Sequence, residues 1–184
     1  ISLKDSIEKI AKNAFKETSL VEFKIPSNVH SIGESAFENC NELTKLRMNE
    51  SIEEIDINAF KNCSSLTEIN IPETIKYIRN SAFYGCSSLR KIDIKGNIDV
   101  IEKHLFYGCS SLYKIRIPSN VEIISEYAFY QCEKLTNIRF SKNLEKIESY
   151  AFIQCSSLVE IKLPQKLKTI SEFAFSGCSK LTKI

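Results

Sequence analysis

Seven cysteines are the residues of this 184-residue chain with the widest chemical repertoire: a thiol can act as nucleophile, metal ligand or half of a disulfide. They stand at Cys40, Cys63, Cys86, Cys109, Cys132, Cys155 and Cys178, always 23 residues apart. That spacing argues against each of the three uses. No C-x-x-C occurs, and zinc needs ligands that converge on one point. A constant period instead stacks the thiols in a column with parallel side-chain vectors, which with an odd count disfavours disulfides. The pattern predicts a buried thiol ladder, because a free cysteine packs as a small hydrophobe. The two histidines, His30 and His104, fall in different columns several turns apart, and both are expected on the outer surface. Carboxylates form no paired column. Neither a G-x-S-x-G elbow, a phosphate loop nor a dinucleotide fingerprint is present, so the sequence predicts no enzyme, no metal and no cofactor.

The elements that hold the thiols follow from the same beat. Phe15, Phe37, Phe60, Phe83, Phe106, Phe129, Phe152 and Phe175 each precede the cysteine position by three residues, and alanine precedes every one except Phe106, which follows Leu105. Leucine opens each turn at Leu20, Leu43, Leu66, Leu89, Leu112, Leu135, Leu158 and Leu181. One turn cannot bury that many apolar side chains alone, whereas stacked turns bury them as one continuous core. The L-x-x-I-x-I segment, as in Lys114-Ile115-Arg116-Ile117, alternates polar and apolar and predicts a short strand with isoleucines inward. Stacked copies make a parallel sheet, and Pro26, Pro72, Pro118 and Pro164 end its pairing in alternate turns. V-x-x-I then returns along the outer side, and Ala-Phe-x-x-Cys is expected to form a helical or 3₁₀ turn.

The full turn L-x-x-I-x-I-P-x-N-V-x-x-I-x-x-x-A-F-x-x-C-S-S resembles the BspA-like class of leucine-rich repeats, and the resemblance covers essentially the whole chain. Thr18 in place of cysteine, Leu105 in place of alanine and Lys166 at the turn asparagine depart from the pattern without removing a core column. The resemblance implies an α/β repeat fold: a leucine-rich-repeat solenoid with a concave parallel sheet, short outer strands and helical or 3₁₀ turns on the convex side. It also implies a surface or secreted adhesin that engages extracellular matrix or other cells. Residues 1–184 are expected to form a single array of about eight turns, roughly 35 to 40 Å long. Because Ile1 and Ile184 share a phase and the first residue is not methionine, the array is expected to be a piece of a longer one.

Lysine and arginine exceed aspartate and glutamate by two, so net charge implies no polyanion partner. No uncharged stretch long enough to span a membrane and no secretory leader is visible. Asn49-Glu50-Ser51 and Asn62-Cys63-Ser64 satisfy the glycosylation rule, with Asn49 the more accessible expectation.

The outward residues of the sheet form two columns carrying nine basic and four acidic residues. Lys91, Lys114, Arg116 and Arg139 fall on three consecutive turns beside Tyr113, and these five form the candidate partner-binding patch. A protein or glycoprotein ligand suits it. Nucleic acid does not, since Asp93 interrupts the strip and aromatics are not interleaved. The competing reading of the patch is a solvated sheet face. Tyr84, Tyr107, Tyr130 and Ile153, with Tyr127, Tyr150 and Phe173, form outer stripes that are either a docking surface or packing between turns. Two functions stand: a cell-surface or secreted binding module, or an intracellular, cytoplasmic scaffold.

Overall fold

The computed structural model describes Lys4 and residues 6–184; Ile1, whose phase in the repeat is noted above, lies outside them. Two series of parallel strands alternate along the chain. The inner series comprises β2 (Glu22–Lys24), β4 (Lys45–Arg47), β6 (Glu68–Ile71), β8 (Lys91–Ile94), β10 (Lys114–Arg116), β12 (Asn137–Arg139) and β14 (Glu160–Lys162). It builds a two-stranded sheet, β2 on β4, and a five-stranded sheet running β6 to β14 in chain order. The outer series consists of two-residue strands: β1 (Lys9–Ile10), β3 (Ser31–Ile32), β5 (Glu54–Ile55), β7 (Tyr77–Ile78), β9 (Val100–Ile101), β11 (Ile123–Ile124), β13 (Lys146–Ile147) and β15 (Thr169–Ile170). The chain is therefore a parallel β-solenoid in which each residue pairs with its counterpart one turn away.

Register follows from the alternation of side chains. In β8 and β10, Ile92 opposes Ile115 and both are buried, while Lys91 opposes Lys114 on the exposed face. A slip of one residue would turn the isoleucines to water and the lysines into the core.

The core is a stack of columns. Phe15 to Phe175 form seven consecutive ring-on-ring steps with centroids 5.0 to 5.9 Å apart. The widest, 5.9 Å, lies between Phe83 and Phe106, where Leu105 stands in the alanine column. The Phe83 N–H bond to the Leu105 carbonyl is 3.1 Å, against 2.7 to 2.9 Å for the other phenylalanines of the column.

The Ala-Phe-x-x-Cys segment contains no helix of either kind, a correction to the expected helical or 3₁₀ turn and hence to the α/β class. Its donors alternate in direction. The N–H groups of Ala128, Tyr130 and Cys132 close four-residue turns onto Ser125, Tyr127 and Phe129, while those of Tyr127, Phe129 and Gln131 reach Ser149, Ala151 and Ile153 in the next turn. A helix would send every donor along its own axis and needs negative φ throughout. Here Tyr127 and Gln131 both have φ of 57°, and the same two columns are left-handed in every turn. Asn39, Asn62, Gly85, Gly108 and Gly177 occupy the second of them, the residue types that tolerate this conformation.

Candidate binding face

The thiol column and the phenylalanine column together explain the cysteines. All seven are free and buried. The Cys63, Cys86, Cys109, Cys132, Cys155 and Cys178 Sγ atoms donate at 3.1 to 3.3 Å to the carbonyls of Phe37, Phe60, Phe83, Phe106, Phe129 and Phe152 in the preceding turn. Cys40 does the same to Phe15 at 2.9 Å, and Thr18, standing where the first cysteine would be, bonds the Phe15 carbonyl through its hydroxyl at 2.8 Å. Burial raises the Cys63, Cys86, Cys109 and Cys132 thiols well above the ordinary value, which keeps them protonated and unreactive. Among the described residues no group of three His, Cys, Asp or Glu side chains is placed to hold a metal.

The outer aromatic stripes stack between turns. Tyr84, Tyr107 and Tyr130 lie 4.5 and 4.3 Å apart, while His104, Tyr127, Tyr150 and Phe173 form a second stack at 5.4, 4.8 and 5.3 Å. Most of their ring faces are spent on one another, while Phe173 at the end of the second stack stays 59% exposed. Burial, with Tyr84 and Tyr130 alongside, raises the Tyr107 phenol to about 12. His30 is exposed and His104 half-buried in the second stack. Both sequon asparagines are engaged inside the fold: the Asn49 amide donates to the Pro26 and Val29 carbonyls, and Asn62 donates to Asn39 Oδ1 at 2.9 Å.

The sheet of the inner strand series is different. Lys91, Lys114, Arg116 and Arg139 are exposed on β8, β10 and β12, and Tyr113, 49% exposed, immediately precedes β10. Tyr113, Lys114, Arg116 and Arg139 line one shallow depression of about 610 Å³ together with Thr136 and Asn137. Lys91 sits one turn away, in direct register with Lys114. Arg116 likewise faces Arg139, and Arg139 faces Lys162. Like charges in direct register repel. Nevertheless Lys91, Lys114, Arg116 and Arg139 make no ion pair among the described residues, although opposite charges on the outer side do pair across turns, as in Lys12 with Glu34 and Lys168 with Glu145 at 2.8 and 2.7 Å. On the sheet face the one contact of this kind among them is Lys162 to Glu160, at 3.8 Å within one strand. A second depression of about 620 Å³ toward the N-terminal end balances Glu22, Glu50 and Glu68 against Lys45, Arg47 and Lys95. The longest run of unbalanced charge thus lies on β8–β14, and a shorter one, Lys24 facing Arg47, stands on β2 and β4.

Arg90 was not part of the sequence-derived patch. It is exposed one turn before Tyr113, and its carbonyl accepts the Tyr113 N–H at 3.2 Å, so it extends the basic surface past Lys91. The signal was its column, which also holds Tyr113 and Thr136.

The family model for the BspA type leucine rich repeat region matches in six copies, over residues 1–113 and 99–184. None of the curated proteins matches in sequence. Among solved structures, the Treponema pallidum leucine rich repeat protein TpLRR superposes with a TM-score of 0.86 at 27% identity, covering 98% of this chain and 86% of that one. A leucine-rich repeat protein from Eubacterium ventriosum gives 0.84 at 28%, covering 91% of this chain and 45% of its own length. The pneumococcal vaccine antigen PcpA gives 0.63 at 26%, covering 88% of this chain and 44% of that one. This chain therefore spans less than half of two of these relatives. It belongs to the BspA-type leucine-rich repeat family.

Proposed function

We propose that this member of the BspA-type leucine-rich repeat family is a non-catalytic protein-binding module of a cell-surface or secreted protein. Its ligand is a protein or glycoprotein of the extracellular matrix or of another cell, held on the concave face around Lys91, Tyr113, Lys114, Arg116 and Arg139. The fold is generally a protein-interaction scaffold, and a pneumococcal vaccine antigen stands among its structural relatives. One observation supports placing the site there: around the Tyr113 depression Lys91 faces Lys114, Arg116 faces Arg139 and Arg139 faces Lys162, and Lys91, Lys114, Arg116 and Arg139 make no ion pair among the described residues. Such repulsion costs stability and is relieved when a partner supplies the opposite charge.

The test is capture of extracellular matrix proteins by the immobilised chain and by the Lys114→Glu, Arg116→Glu, Arg139→Glu triple variant, at low and moderate salt. Capture by the parent, weakened in the folded triple variant together with its salt sensitivity, supports the reading. Equal capture by both moves the site off this face. Capture by neither, with no labelling of intact producer cells by a membrane-impermeant reagent, favours the intracellular scaffold.

A further inference from the structure

The cations of the concave face form a track. Arg90 and Lys91 begin it at β8, and Lys114 continues it in direct register. On β10 it crosses from the first outward column to the second, from Lys114 to Arg116, a step of roughly 7 Å within one strand. It then proceeds in register through Arg139 to Lys162. The acids flank it. Asp93 faces Arg116 from the β8 side, and Glu160 faces Asn137 rather than Arg139.

The geometry points to an anionic polysaccharide, sulfated or uronic, as the ligand of this track, an assignment that rests on the concave face being the binding surface. Apart from the Lys114–Arg116 step, cations follow one another at the spacing of neighbouring strands, about 4.8 Å. An extended acidic peptide turns only every second side chain toward the sheet, roughly 7 Å apart, and meets a surface whose backbone donors already pair between turns. A polysaccharide with a charged group on each ring matches the denser spacing and brings no row of backbone amides to satisfy. The two guanidiniums supply planar forks for sulfate or carboxylate oxygens. Beside them the depression offers what a sugar ring uses: the half-exposed ring of Tyr113, and hydrogen-bonding groups on Thr136 and Asn137. Because attachment is through several charges, binding weakens steeply with salt.

The test is titration of the full chain with a heparin oligosaccharide, the same oligosaccharide after chemical desulfation, and poly-L-glutamate, with folding of each variant checked by circular dichroism. Arg116→Glu with Arg139→Glu is compared with Lys24→Glu with Arg47→Glu, a like-charged pair in register outside the track. The expected result is heparin binding that falls at least about tenfold in the first variant, changes little in the second, and weakens with salt. Poly-L-glutamate held as tightly as heparin, or heparin binding indifferent to the first variant, overturns the assignment. If matrix protein is captured through this face while heparin is not held, the glycan falls and the concave-face reading stands. If neither is held, both fall.

Discussion

The two sides of this solenoid answer repetition in opposite ways. On the turn side, each column completes itself when copied: phenylalanine stacks on phenylalanine, tyrosine on tyrosine, and each thiol finds a carbonyl one turn back. On the sheet side, copying places Lys91 against Lys114 and Arg116 against Arg139; Glu68 and Asp93 stand opposite Lys91 and Arg116 in register, yet none of the four cations makes an ion pair among the described residues. Columns that satisfy themselves are accounted for by stability. A column left unsatisfied is open to something outside the chain.

The largest test of that contrast is Phe106→Ala. It opens a cavity in the ring stack and should cost about 3 to 5 kcal/mol in urea denaturation. A cost as small as that of a sheet-face substitution would erase the distinction between the two sides. Alkaline pH probes the thiol column next. The Cys63, Cys86, Cys109 and Cys132 thiols are raised above their ordinary value of 9.0 by burial, so the unfolded chain loses these four thiol protons first. Stability is then fully present below about pH 9 and falls as pH rises beyond it, by on the order of 1 kcal/mol per thiol at pH 10. Thermal melts from pH 7 to 11 should show a shallower alkaline decline in Cys109→Ala than in the parent. Identical slopes would mean the thiols are not shielded.

The sheet side should behave in the reverse sense. Arg139→Glu places a carboxylate between Arg116 and Lys162 and should raise stability by roughly 0.2 to 1 kcal/mol while weakening ligand capture. Loss of both together would make Arg139 structural. The smallest effect compares one substitution in two places. Gln131→Gly relieves a left-handed φ of 57° and should gain a few tenths of a kcal/mol, whereas Asn137→Gly, in a strand of ordinary φ, should lose about 0.5 to 1 kcal/mol. Equal signs in urea titrations would deny that the turn side relies on left-handed backbone.

Much of this was legible because a period is a strong signal. The 23-residue interval between cysteines places every side chain over its own counterpart, so the inward isoleucines, the phenylalanine stack and the thiol ladder could all be read from columns. The turn conformation could not. Ala-Phe-x-x-Cys is compatible with one helical turn, and only the glycine and asparagine column before cysteine hinted at left-handed backbone. What selects the open turns is the presence of a neighbour: the Phe129 N–H is better spent on Ala151 one turn away than on its own segment. Arg90 was missed for a related reason, since it precedes the strand and alternation alone does not say which way it points.

By itself, then, the sequence determined the repeat, the identity of each column and the register, because a slip of one residue would exchange core for solvent along the whole array. Tertiary structure decided how the columns are used. Whether tyrosine faces are open or stacked, whether an asparagine amide is free or bonded, and whether two cations are neighbours or merely share a composition all depend on distances between turns. No single turn contains those distances.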